Sequence, residues 1–391
     1  AGAGQRHASC MDCHDPHEAK ASADAAPYST GTLALATSGT CPSTIGGGTC
    51  GTATGAGTTW TSAMVGWKMQ VGTAWYTVVS FTNATSVLVY PAPTATVAAG
   101  TAYSVRPFYR ATNVAGPALQ GAWGAQLSSN PAFWTAPTSA SFTKKTVTAG
   151  TDLEATLCFK CHTGYYWGTG TPPTSPSGAF AETDTAKEFN PANVGNYAAT
   201  GTTSWASGET AGGFHPILAT ASGNLGATGN ILPPFSRTSL MQCSDCHESD
   251  AGTDPNGPHG SAARFILKGP NTNWSSTVVM GSAGMPSGTF CANCHRQDFA
   301  GSRFTQHFSR SDHRLACFNC HAAIPHGGPR PGMLVAGAGA ATAVGGTIPG
   351  WDNASPYWQG GTTNRLYIVS YPSSNTANWA QGNCGCNGTN H

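Results

Sequence analysis

The chain has 391 residues, with 18 Lys and Arg against 17 Asp and Glu, a net charge of +1 and a charged fraction of only 9%. So small a net charge argues against nucleic acid or an anionic membrane surface as partner. Gly, Ala, Ser and Thr stand where charges and large apolar side chains usually stand, no run of about 18 apolar residues exists to span a membrane, and the length suits two or three domains.

The chain opens at Ala1 without a basic, apolar leader and so reads as a mature form with its signal peptide removed. Residues 1–27 form an N-terminal segment built around Cys10-Met11-Asp12-Cys13-His14, with His7 before it and His17 after it.

Residues 28–112 read as an inserted β module. Gly66-Trp67-Lys68-Met69-Gln70-Val71, Trp75-Tyr76-Thr77-Val78-Val79-Ser80-Phe81 and Ser86-Val87-Leu88-Val89-Tyr90 are β-branched and aromatic runs with partial alternation. They are bounded by Gly72, Asn83 and Pro91, as antiparallel strands are. The module is expected to project outward and to take no part in binding chemistry. Cys41 and Cys50 within it are disulfide candidates in an oxidising compartment.

Residues 113–332 carry four more Cys-x-x-Cys-His motifs amid Pro, Gly and Asn turns: Cys158–His162, Cys243–His247, Cys291–His295 and Cys317–His321. Residues 333–391 read as a Gly/Ala linker followed by a C-terminal cap. The cap has one strand-like run, Arg365 to Tyr371, and the pair Cys384 and Cys386, too close in sequence for an unstrained bridge to each other.

The motifs decide the chemistry. Cys-x-x-Cys-His is the attachment signature of c-type haem. Two thiols at that spacing reach the two vinyl groups of one porphyrin, and the adjacent imidazole ligates iron. A single copy also fits a redox dithiol or half a zinc site; five copies, each ending in His, point to five covalently bound haem c groups. The attachment cysteines are Cys10, Cys13, Cys158, Cys161, Cys243, Cys246, Cys291, Cys294, Cys317 and Cys320, and the proximal ligands His14, His162, His247, His295 and His321.

Of the 13 histidines, eight remain for the opposite faces. His215 in Phe214-His215-Pro216 and His259 in Pro258-His259-Gly260 sit in rigid turns suited to a fixed axial ligand. His17 follows His14 by three residues, a reach of at most about 10 Å, too short to pass round a porphyrin edge. His17 must serve another iron or none, and His326, five residues after His321, is under similar though weaker pressure. His313 is favoured over His307 between the last two motifs, and the terminal His391 is the weakest candidate.

Taken together, Cys10-x-x-Cys13-His14-x-Pro16-His17, Cys158-x-x-Cys161-His162, His215-Pro216, Cys243-x-x-Cys246-His247, Pro258-His259-Gly260 and Cys291-x-x-Cys294-His295 resemble the extracellular multihaem cytochromes of metal-reducing bacteria. Several of those polymerise into cytochrome nanowires. The resemblance covers about 220 residues. It implies bis-histidine iron throughout, a distal role for His7, and a bond from His17 to a haem of the neighbouring subunit. It also implies a cell-surface or extracellular location and electron exchange with other redox proteins or extracellular acceptors. The fifth motif with Ile324-Pro325-His326-Gly327, the β insertion and the Cys384/Cys386 tail depart from that pattern. The β insertion, around Thr58-Thr59-Trp60-Thr61-Ser62 and Gly72-Thr73-Ala74-Trp75, is itself similar to short all-β modules of bacterial surface and phage proteins.

The expected fold class is a mostly irregular, loop-rich multihaem cytochrome with few short helices and the haems as core, plus a small inserted all-β module. The expected function is electron transfer along five bis-histidine haems, as a filament or as a discrete periplasmic or outer-membrane-associated carrier. An enzyme is the weaker reading. Pentahaem nitrite reductase shares the haem count but places Lys in one motif and packs on long helices, whereas all five motifs here end in His.

Overall fold

The computed structural model describes residues 9–20, 29–168, 183–193, 213–220, 231–236, 238–250, 257–274, 285, 288–297, 317–319, 321–328 and 333, with the backbone alone of 366–368 and 384–386. Six antiparallel strands dominate: β1 (Ser29–Ala36), β2 (Gly51–Ala56), β3 (Lys68–Val71), β4 (Ala74–Asn83), β5 (Ser86–Tyr90) and β6 (Val97–Arg106). They close in the order β1-β2-β5-β4-β3-β6, with β6 pairing both β3 and β1.

Closure follows from side-chain alternation. Leu33 and Leu35 of β1, Met69 and Val71 of β3, Val87 and Val89 of β5, and Tyr103 and Val105 of β6 stand two residues apart and all point inward. Trp60 and Met64, from the β2–β3 connection, complete the interior, and Trp60 Nε1 donates to Tyr103 Oη at 2.9 Å. The β3–β4 turn needs a positive φ at its first residue, supplied by Gly72 at 60°. A disulfide joins Cys41 to Cys50 across the β1–β2 connection, and both cysteines pack with Ile45, Val79, Tyr90 and Leu232.

This overturns the expected fold class. The described residues are organised around a closed antiparallel barrel with a side-chain core of its own, not a mostly irregular, loop-rich chain with haems as core and a small β module added. The reason lies in Ser29–Ala36, Gly51–Ala56 and Val97–Arg106, half of the barrel. Gly51–Ala56 holds only Gly, Ala and Thr, and in the other two strands the large inward residues, Leu33 and Leu35 or Tyr103 and Val105, sit in the second half after a run of mostly Ser, Thr, Gly and Ala, so the alternation is too short to show in sequence. Small residues such as Ala53, which is completely buried, are what let neighbouring strands approach across so narrow an interior.

Beyond the barrel, β7 (Trp123–Leu127) and β8 (Phe142–Thr146) form a two-stranded ribbon against which α2 (Ala155–His162) packs, α1 being the single turn Cys10–Cys13. The short helices α3 (Gly164–Trp167) and α4 (Thr185–Glu188) follow. Tyr109, Phe142, Phe159, Phe189, Ile217, Phe235 and Met241 form a second apolar core, and Cys243, Cys246 and Cys294 lie against it. Gly213–Phe214 (β9) pairs with Gly327–Gly328 (β10), and Leu366–Ile368 (β11) pairs with Cys384–Cys386 (β12). The rest of the expected linker and cap, save residue 333, lies outside the described residues. No helix among the described residues is long and apolar enough to cross a membrane.

Candidate functional site

Each motif forms one tight turn. In the first, third, fourth and fifth motifs the histidine N–H donates to the carbonyl of the first cysteine, at 2.9 Å every time. The second motif lies within α2 itself. Positions i, i+3 and i+4 of a helical turn share a face, so two thiols and one imidazole are presented together. Around the first motif, Asp12 Oδ2 accepts from Ser9 N at 2.8 Å and Ser9 Oγ at 2.9 Å. The backbone hydrogen bond from Ser9 leads in pulling the Asp12 carboxyl below its usual range.

The motifs touch one another in chain order. Burial leads in pushing the Cys13 thiol up, and Cys158 and Cys161 of the second motif are close enough to add to it. Cys158 and Cys243 share a hydrogen bond, as do Cys291 and Cys317. Cys246 and Cys294 are electrostatic neighbours. Burial pushes the Cys246 thiol up and Cys294 up to about 12. A reactive dithiol needs the opposite shift. The nine described motif cysteines carry no disulfide; Cys320 lies outside the described residues.

Six of the nine described histidines fall into three pairs, each joining a motif histidine to one remote in sequence. His14 faces His259 with ring centroids 5.9 Å apart and planes at 19°. His295 faces His215 at 6.4 Å and 65°, and His247 faces His326 at 5.9 Å and 70°. A transition-metal bond to imidazole is about 2.0–2.1 Å and the centroid lies roughly 1.1 Å behind the bonding nitrogen, so two imidazoles across one metal ion have centroids roughly 6.3 Å apart. All three pairs meet that spacing.

The second ring nitrogen is tied down in four of these six histidines. His14 Nδ1–H donates to Ala118 O at 2.8 Å, His247 Nδ1–H to Phe265 O at 2.8 Å and His326 Nδ1–H to Glu188 Oε2 at 2.8 Å. His215 Nδ1–H donates to Pro325 O. These acceptors are carbonyls and a carboxylate, so Nδ1 carries the proton and Nε2 keeps its lone pair, as in metal-ligating histidine. Burial holds His247 and His295 down to about 4 and lowers His215, which keeps the rings neutral and able to ligate.

The supports are built with some strain. Phe265 and Ile266 take φ of 63° and 53°, a region costly for non-glycine residues. Phe265 O receives His247 Nδ1–H and Ile266 O receives Glu248 N–H at 2.9 Å, so the unusual turn aims two carbonyls at the third motif. A Cβ at Gly327 would meet Glu188 O at 2.0 Å, so the residue after His326 must be glycine for Glu188 to reach the ring.

His17 stands exposed beside the first motif, its N–H donating to Asp15 Oδ1 at 2.8 Å. His162 lies near His247, and His321 near His295, each close enough to lower its neighbour's proton affinity. His7, His307, His313 and His391 lie outside the described residues. Among the described residues no group of three or more His, Cys, Asp or Glu is placed to hold a bare metal ion. Two neutral imidazoles at metal-spanning distance beside a Cys-x-x-Cys pair form a donor set that would fit haem. Sequence reasoning missed the pairing itself, the Nδ1 acceptors and Glu188. Only the last left a sequence trace, as one of few acidic residues between the second and third motifs. No protein-family model, curated protein or solved structure matches this chain.

Proposed function

We propose that this chain is an electron-transfer protein carrying five covalently attached c-type haems with bis-histidine iron. The observation that carries the reading is the set of three histidine pairs at metal-spanning distance, each drawing one member from a Cys-x-x-Cys-His motif. When bound, haem would supply a one-electron iron couple, with the paired histidines as its iron ligands. The residues of the chain do the remaining work. The motif cysteines anchor, His14–His259, His295–His215 and His247–His326 hold the two faces, and Ala118, Phe265, Pro325 and Glu188 fix ring orientation.

The contacts between successive motifs support a continuous path from the first to the fifth. An exposed His17, unable to reach the far side of the ring served by His14, suits donation to a neighbouring copy, which makes the working form a filament at the cell surface or beyond it. Partners are then further copies, other redox proteins and extracellular acceptors.

Intact mass of the purified protein tests the reading directly. Five haem increments on the 391-residue chain are expected, with a reduced-minus-oxidised spectrum of low-spin haem. Fewer increments, or none, sinks it.

A further inference from the structure

Three lysines donate to the backbone between the cysteines of a motif. Lys160 Nζ donates to Asp12 O of the first motif, Lys268 Nζ to Ser244 O of the third at 3.4 Å, and Lys68 Nζ to Asn293 O of the fourth at 2.8 Å. Their charges are handled differently. Lys268 is paired with Glu248 at 2.9 Å, both groups buried, so its charge is largely cancelled. Lys160 also reaches Trp123 O, and it acts electrostatically on the Asp12 carboxylate.

Lys68 has no such counterweight among its hydrogen bonds. It starts β3 of the barrel, is 3% exposed, and its second bond goes to Thr77 Oγ1 at 2.7 Å on β4. Both acceptors are uncharged oxygens. The Tyr109 ring, 5.3 Å away, offers only its π face and is shared with Lys268 at 5.1 Å. Burial lowers its proton affinity to about 8, which still leaves it charged at neutral pH. Burying an ammonium against neutral oxygens is costly, and a neutral amide would satisfy Asn293 O as well. The charge exceeds what the hydrogen bond requires.

The barrel is fastened to this motif at further points. Arg296, completely buried, donates to Ile45 O and to Gly47 O at 2.6 Å, and Gln297 N–H donates to Tyr90 Oη at 3.0 Å. The Arg296 guanidinium also lies over the Tyr90 ring.

We propose that Lys68 is the barrel's positioning residue for the fourth motif, and that its fixed positive charge raises the reduction potential of the haem held by Cys291, Cys294 and His295. The proposal rests on the haem reading above. A cation beside a redox centre favours the form with one more electron, and in a dry site that preference is weakly screened. The barrel thereby makes one centre along the path a preferred resting place for an electron.

The test compares the full chain with Lys68→Met, Lys68→Arg and Thr77→Val by haem count and by spectroelectrochemical titration. In Lys68→Met, five haems are retained and one midpoint falls by at least about 59 mV, a tenfold shift of a one-electron equilibrium, while four stay put. Lys68→Arg keeps the wild-type potentials. Thr77→Val, which removes an acceptor but no charge, keeps them too; a purely structural role would move it as Lys68→Met does. Loss of only the Cys291/Cys294 haem in Lys68→Met supports the positioning role, and the potential shift is then read in Lys68→Gln, which keeps a donor for Asn293 O. Five haems with five unchanged midpoints overturn the proposal and leave the haem reading intact, whereas a haem-free wild-type chain overturns that reading itself. Should Lys68→Met not accumulate, Lys68→Gln keeps a donor for Asn293 O and carries the same expectation; if it too fails while Lys68→Arg accumulates, Lys68 serves folding alone and the tuning role is overturned.

Discussion

Glu188 holds His326: from a fully buried position its Oε2 accepts the His326 Nδ1–H at 2.8 Å, and His326 in turn faces His247. In the other anchored histidines of the pairs a backbone carbonyl plays this part. A carboxylate is a stronger acceptor and makes the imidazole a better donor to metal. Its second oxygen, Oε1, is buried without a hydrogen-bond partner, so Glu188 is retained for the ring rather than for a network of its own.

Glu188→Ala therefore strips His326 of its anchor and leaves its N–H, in a half-buried site, without its partner, at a cost of about 1 kcal/mol. Thermal denaturation is expected to show the loss and, if the chain carries five haems as proposed, electron paramagnetic resonance to show one iron of five turned high-spin or heterogeneous. Glu188→Gln keeps an acceptor oxygen and is expected to preserve the low-spin signal. An unchanged spectrum for Glu188→Ala would show that His326 needs no orienting partner.

Asp184 makes stability depend on pH. Its carboxylate accepts from Gly164 N at 2.7 Å and Lys187 N at 2.9 Å, tying α3 to α4. Burial nonetheless dominates and raises it from 3.8 to about 6. The folded state thus binds the proton more tightly than the unfolded chain, and folding is favoured below the unfolded value. That contribution is lost as pH rises from 3.8 through about 6, on the order of 3 kcal/mol in total. Asp184→Asn should flatten the melting temperature across that window. Identical pH profiles for the two proteins would remove Asp184 as the source.

His17→Ala tests assembly. If His17 completes a haem of the next copy, the variant carries five haems, shows one high-spin iron per chain and forms no long filaments under negative stain. Normal filaments with every iron low-spin would rule out the bridging role, and a monodisperse wild-type protein at high concentration would leave a discrete carrier.

The turn that each Cys-x-x-Cys-His motif forms was legible in the sequence because it is local. Two thiols and an imidazole within five consecutive residues need only one turn of backbone, and the His-to-Cys hydrogen bond recurs in four motifs. The strand runs at Lys68–Val71, Ala74–Asn83 and Ser86–Tyr90 were legible because their inward residues are large. The same logic fails for Gly51–Ala56, where small residues carry the alternation, so the sequence shows three strands of a barrel that has six.

What tertiary structure alone decided is which groups meet. His14 finds His259, His215 finds His295 and His247 finds His326 across long stretches of chain. No spacing rule encodes such partners, because which histidine meets which depends on how distant turns pack. Lys68 looked like one more residue of a strand. Its position over Asn293 follows only from barrel closure and from the docking of Arg296 and Gln297 against that barrel, since burial and partner, not residue type, determine what a charge does.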